Sequence, residues 1–192
     1  MNDALAKAQA ALAREDYESV EFVAQPLAEA GDSEAQYLMG YLFFTAAEVA
    51  KEDSREWLKR AVAQNHPQAC YYLAQMGGAS DFGPPESESQ RQLLIRSAEL
   101  GYAHAQRDLG CFYAIGAGGF PVDQRLGRHW YGRAAEQAHA DAQYNFGLMV
   151  LLGEGGPKDC GAGMEWIRRA AKNGDDDAIT YLSQTASESA PS

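Results

Sequence analysis

Four stretches, AQYLMGYLFF (35–44), ACYYLAQMGG (69–78), AQRDLGCFYAIGAGG (105–119) and AQYNFGLMVLLGEGG (142–156), align on their first alanine, and a truncated fifth, AITYLSQ (178–184), follows them. The anchors Ala35, Ala69, Ala105, Ala142 and Ala178 are 34, 36, 37 and 36 residues apart. Four residues after each anchor stands a bulky apolar residue: Met39, Leu73, Leu109, Phe146, Leu182. The next residue is small: Gly40, Ala74, Gly110, Gly147, Ser183. A fixed period in this range marks stacked supersecondary units, each unable to bury its apolar face alone.

The second half of each unit repeats as well. Trp57, Leu93, Trp130 and Trp166 each precede a small residue by four: Ala61, Ser97, Ala134, Ala170. Apolar residues at the anchor, +4 and +8 share one face at 3.6 residues per turn, so each unit reads as two helices. A small residue at +5 allows a neighbouring helix to come close. In the third and fourth units GAGG (116–119) and GEGGP (153–157) end the first helix, and Asp123 and Asp159 are expected to cap the second. Gly31, Gly101 and Gly174 stand where the second helix must stop and positive φ is useful. The first full unit, FFTAAEVAKEDS (43–54), has no such glycine, so its first helix is expected to run to about Val49.

These residues resemble Sel1-like repeats, a branch of the tetratricopeptide-type helical repeats. The resemblance rests on the A-x-x-x-L-G line, the Gly-rich loop before an Asp, the W-x-x-x-A-A line and the terminal G-x-x-x-A, over about residues 16–184. The third and fourth units match well; the second has Leu93 for Trp and Ala74 for Gly. The resemblance implies an all-α, right-handed α-solenoid of stacked antiparallel helix pairs, used as a binding scaffold. It further implies roles such as adaptor in signalling or protein quality control, or bacterial virulence factor or toxin neutraliser. The expected division is an entry helix pair (1–34), four repeats (35–68, 69–104, 105–141, 142–177), a C-terminal capping helix (178–185) and a flexible tail (186–192).

Composition fits this and little else. Leu, Ile, Val and Phe make up only 33 of 192 residues while the formal charge is −11. Such a low share at high charge ordinarily marks disorder. Here 34 alanines and 19 glycines, placed periodically, let helices approach without a thick aliphatic core. The acidic balance, 27 Asp and Glu against 16 Lys and Arg, argues against nucleic acid or an anionic membrane as partner. No apolar run is long enough to span a bilayer. Cys70, Cys111 and Cys160 are too few and too irregular for a disulfide framework, which favours the cytoplasm; a leader removed ahead of this start would favour the periplasm.

Function is therefore sought on the surface the units share. With the anchor at 0° and 100° per residue, positions 0, +4, +5 and +8 fall between 0° and about 140°, and −1, +2, +6 and +9 near 180–260°. That opposite row contains Tyr37, Tyr41, Phe44, Tyr71, Gln75, Arg107, Tyr144 and Leu148, our candidate protein-binding residues. Tyr and Arg dominate binding energy at interfaces. The bland alternative is that these side chains pack against neighbouring helices. No catalytic motif, metal-ligand spacing or cofactor signature is found. His66 and His139 share one repeat position, three before the anchor, with Asp32, Tyr102 and Asp175, so a common turn role explains them. GAGGFPVD (116–123) and GEGGPKD (153–159) lack a phosphate loop's Gly-Lys-Ser/Thr ending.

The leading expectation is a monomeric, non-enzymatic protein-binding scaffold, in the form of a bacterial immunity protein neutralising a toxic effector. An adaptor or regulator in signalling or protein quality control is the alternative. A hydrolase using His104 or Asp141 and an envelope structural subunit are the rivals of other classes.

Overall fold

The computed structural model describes residues 3–45, 51–76, 85 and 87–188. The run of the first full unit's helix to Val49 and most of the expected tail lie outside them. The described residues are all-α: α1 (Asp3–Leu12), α2 (Tyr17–Glu29), α3 (Ser33–Thr45), α4 (Lys51–Ala63), α5 (Pro67–Gln75), α6 (Glu88–Glu99), α7 (Ala103–Ile115), α8 (Gln124–Glu136), α9 (Ala140–Leu152), α10 (Cys160–Lys172) and α11 (Asp176–Glu188). None of these helices is long and apolar enough to cross a membrane. The chain divides into two units, residues 1–100 and 101–192. In the first, α1 to α6 pack each on the next; in the second, α7 to α11 do the same.

The joint between one hairpin and the next is where sequence most directly becomes structure. In unit 1, Gly31 N–H donates to Ala28 O and Asp32 N–H to Leu27 O, the paired bonds of a Schellman motif. Asp32 then turns its carboxylate to the next helix and accepts from Ala35 N–H at 2.9 Å. One residue thus closes one helix with its backbone and caps the following one with its side chain. The arrangement recurs at His66, whose Nδ1 accepts from Ala69 N–H at 3.4 Å. In unit 2 it recurs at His139, accepting from Ala142 N–H, and at Asp175, accepting from Ala178 N–H. The residue before the cap has positive φ: Gly31 and Gly174 as expected, but also Asn65 (61°) and Ala138 (62°). The two histidines at this position are therefore helix caps, which is the common turn role expected for them. Asp123 and Asp159 likewise cap α8 and α10, Asp159 accepting from Ala162 N–H at 2.9 Å.

Every anchor alanine is fully buried, because the first helix of each repeat is packed upon from several sides. Within a hairpin the small residue at +5 marks the crossing. A side-chain carbon on Gly147 would stand 2.9 Å from Gly163 O, and one on Gly163 would stand 2.8 Å from Gly147 O. Only two glycines admit that approach. Gly110 and Gly127 form the equivalent crossing of α7 with α8, where a carbon on Gly127 would stand 3.2 Å from Gly110 O. In unit 1 the same carbonyl is met by a polar side chain instead: Ser54 Oγ donates to Gly40 O at 2.7 Å, and Gln90 Nε2 to Ala74 O at 2.9 Å. Periodicity marks the small residue on the first helix but not its partner on the second.

The tryptophan line is offset from the core by one residue. Trp57, Leu93, Trp130 and Trp166 are half-buried, while the residue after each, Leu58, Leu94, Tyr131 and Ile167, is buried. The tryptophans lie over the hairpin's flank, where Arg60 stacks 4.6 Å from the Trp57 ring and Arg169 4.8 Å from that of Trp166.

A second polar series fixes the register of adjacent hairpins. Gln36, one past the anchor, is buried; its amide donates to Ala28 O, and its oxygen accepts from Gln64 Nε2 at 3.0 Å. In unit 2, Gln106 accepts from Gln137 at 2.7 Å and Gln143 from Asn173 at 2.8 Å. A buried amide without partners is costly, so each such Gln needs a mate at the end of the following second helix. The remaining repeat has Cys70 and Leu100 at these two positions: amide and mate are both replaced by apolar residues.

Candidate functional site

The candidate residues fall into two groups, one in each unit. In unit 1, Tyr37, Tyr41 and Phe44 descend along α3, and Tyr71 and Gln75 lie on α5. Their rings form one contiguous cluster with Tyr72, which the wheel arithmetic did not select. Tyr41 meets Tyr72 edge to face at 4.9 Å, Phe44 meets it at 5.4 Å, and Tyr37 lies 6.0 Å from it. His66 stacks on Tyr37 at 4.7 Å. Tyr37, Tyr41, Phe44 and Tyr72 are half-buried; Tyr71 and Gln75 are buried, at 8% and 9% exposure. The wheel placed all of these except Tyr72 opposite the packing face. It allows for one neighbour, whereas α3 is flanked by α4 and also by α5 of the next repeat. Tyr37 and Phe44 accordingly pack against the cluster of Leu58, Ala61, Ala69 and Met76.

The upper end of this group is electrostatically fixed. His66 Nδ1 is occupied as a cap acceptor, so Nε2 carries the proton and donates to Glu34 Oε2 at 2.9 Å. Gln9 donates to the other Glu34 oxygen at 2.8 Å. The bond from His66 holds the Glu34 carboxyl below the ordinary glutamate range, against the effect of burial. Burial beside Tyr72, Tyr41 and Glu34 pushes the Tyr37 phenol far above the usual tyrosine range, so it stays a neutral donor.

In unit 2, Arg107 lies on α7, and Tyr144 and Leu148 on α9. The Arg107 guanidinium reaches Asp108 at 2.8 Å and Asp141, at the start of α9, at 3.3 Å. Tyr144 meets Tyr181 of α11 edge to face at 6.3 Å. Leu148 packs with Ile167, Ala170 and Ala178, taking the core role. Cys111 is half-buried against Tyr131 and Ala134.

At the N-terminal ends of α7 and α9, His139 Nε2 lies 3.3 Å from His104 Nδ1. This pair is the counterpart of Glu34 with His66, and nothing in the sequence spacing announced it. Burial and the nearby Arg107 lower both imidazole pKa values; His104 adds to the effect on His139, with Asp108 or Asp141 opposing it. Beside them lies an open depression of about 660 Å³, lined by His139, Asp141 and Asp175 to Asp177. Crowding of the carboxylates adds to burial in raising the Asp175 pKa. Among the described residues no three His, Cys, Asp or Glu side chains gather in a metal-binding group.

The sequence model of the Sel1 repeat matches residues 33–66, 67–102, 103–139 and 140–175. The chain belongs to the Sel1 repeat family. Each matched repeat opens on the first residue of a first helix, α3, α5, α7 and α9, two residues before the alanine anchor. Relatives cover the same ground. An uncharacterized Neisseria meningitidis protein, NMB1327, is 31% identical over 159 residues, 82% of this chain and 32% of its own length. The structure of a Sel1 repeat protein from Oxalobacter formigenes superposes with a TM-score of 0.76 at 27% identity, over 88% of this chain and 49% of that one. The Pseudomonas aeruginosa immunity protein Pa5087 shares the fold at a TM-score of 0.64 and 18% identity, over 93% of this chain and 69% of that one. The chain thus spans about a third of the Neisseria relative and half of the Oxalobacter one.

Proposed function

We propose that this Sel1 repeat protein is a non-enzymatic scaffold that binds another protein through first-helix surfaces in each of its two units. The observation that supports this best is the ring cluster of unit 1. Tyr37, Tyr41, Phe44 and Tyr72 are mutually packed, which fixes their rotamers, and half-buried, which leaves ring surface in water. Aromatic side chains that are already ordered lose little entropy on binding and offer large contact area. In unit 2 the half-exposed Arg107 and Tyr144 are the corresponding candidates.

Within this reading we favour a single dedicated partner, a toxic effector neutralised by the chain. The acidic charge supports that form, and Pa5087 illustrates an immunity role on the same fold. The test is capture of the partner from extract of the source cell, followed by calorimetric titration. Tyr41→Ser with Phe44→Ser, and separately Arg107→Ala with Tyr144→Ser, should each weaken binding at least about tenfold while helical content stays unchanged. Unchanged affinity in both pairs would sink the proposal. A captured kinase or secretion component in place of a toxin would replace the immunity form by an adaptor.

A further inference from the structure

Helix α2 departs from the pattern set by the other second helices. Each of those carries basic residues: Arg55, Lys59 and Arg60 on α4; Arg91 and Arg96 on α6; Arg125, Arg128 and Arg133 on α8; Arg168, Arg169 and Lys172 on α10. Helix α2 has none. From Glu15 to Glu34 the chain has seven carboxylates and no Lys or Arg. The inner face of α2 is complete without its outer one: Val20, Ala24 and Ala28 are buried, and Val23 and Leu27 pack on the same core. The outer face nevertheless displays Phe22 at 83% exposure and Tyr17 at 44%.

Phe22 shares its face with Glu18, Gln25 and Glu29, at i−4, i+3 and i+7, and Glu21 lies alongside. All four are exposed. Glu18, Ser19, Phe22 and Val23 line a shallow depression of about 350 Å³. An aromatic side chain set among carboxylates, on a helix whose core-facing side is already satisfied, is not needed for stacking. It has the composition of a contact surface: an apolar centre and a rim of a single charge.

We propose that the outer face of α2 docks a basic amphipathic helix of a partner protein. The partner covers Phe22 with apolar side chains and meets Glu18, Glu21 and Glu29 with Lys or Arg. Charge complementarity decides the occupant. A second copy of this chain would set these glutamates against their own equivalents. An anionic membrane or a nucleic acid would be repelled in the same way. This surface is separate from the first-helix surfaces, and its test does not depend on that reading.

The full chain is titrated, by anisotropy, with a labelled Leu/Lys amphipathic helical peptide and with its Leu/Glu counterpart. The Leu/Lys peptide is expected to bind and the Leu/Glu peptide not to. Phe22→Ser should weaken binding about tenfold, and Glu18→Lys with Glu21→Lys should abolish it. The same charge change placed at Glu136 and Glu154 should leave it intact. All three variants alter exposed side chains, so their melting curves should match that of the parent. Absence of Leu/Lys binding overturns the proposal, as does equal binding by Phe22→Ser or an equal loss from the Glu136 and Glu154 changes. Phe22-dependent dimerisation in sedimentation without peptide binding also overturns it, assigning the face to a second copy.

Discussion

At the scale of single residues, Ala138 is held in a conformation that its side chain disfavours. It takes the left-handed turn at φ 62° that Gly31, Gly101 and Gly174 fill elsewhere. An L-residue with a β-carbon loses about 1 kcal/mol there relative to glycine. Ala138→Gly should therefore raise stability by roughly that amount and the melting temperature by about 2–4 °C. Thermal unfolding measured by circular dichroism checks it, and no gain would mean that the surrounding Schellman bonds already offset the strain. The same scale shows why some residues were legible and others not. Gly and Asp at turns announce themselves because few other residues serve there. Gln36, Gln106 and Gln143 did not: a glutamine one past an anchor has the look of a solvated side chain until its mate is located 28 to 31 residues further on.

At the scale of elements, the start of α9 is sensitive to acid. His139 must offer Nδ1 as acceptor to Ala142 N–H while its Nε2 meets His104. Protonating Nδ1 removes the cap and adds a cation beside Arg107. Both imidazoles have folded pKa values below the ordinary 6.5. The unfolded chain therefore takes up protons first. The contribution is intact above about pH 6.5 and is lost as pH falls toward the folded pKa values. His139→Asp preserves a cap of the kind Asp32 and Asp175 provide. It should flatten the decline in stability between about pH 7 and 5 or reverse it, because a carboxylate in place of the imidazole would favour protonated His104. Denaturant midpoints across that range, compared between the two proteins, decide it; parallel curves would remove the histidine pair as the cause. The candidate face belongs to this scale too. Periodicity located Tyr37, Tyr41 and Phe44 on one side of α3, but a single helix wheel has no knowledge of the neighbouring helices, whose packing leaves Tyr71 and Gln75 buried.

At the scale of the whole chain, charge is uneven. Residues 1–100 have 16 acidic and 8 basic side chains, residues 101–192 have 11 and 8. Net charge this far from neutral opposes compaction through self-repulsion, and salt relieves it. The melting temperature should rise as ionic strength increases from about 0.01 M to 0.15 M, with sodium chloride and choline chloride acting alike. A fall would show that attractive pairs, such as Arg107 with Asp108 and Asp141, outweigh the repulsion.

By itself the sequence determined the helical repeat, its period, the aspartate caps of α8 and α10 and the small residue that each first helix brings to its crossing. These are set by backbone requirements that few residue types meet, and so recur as letters at fixed spacing. Only the tertiary structure decided which residue beside each tryptophan enters the core, how the buried glutamines are mated, and which aromatics keep a surface in water. Those outcomes depend on neighbours more than about twenty residues away in the chain, and a local pattern has no term for a neighbour that it does not contain.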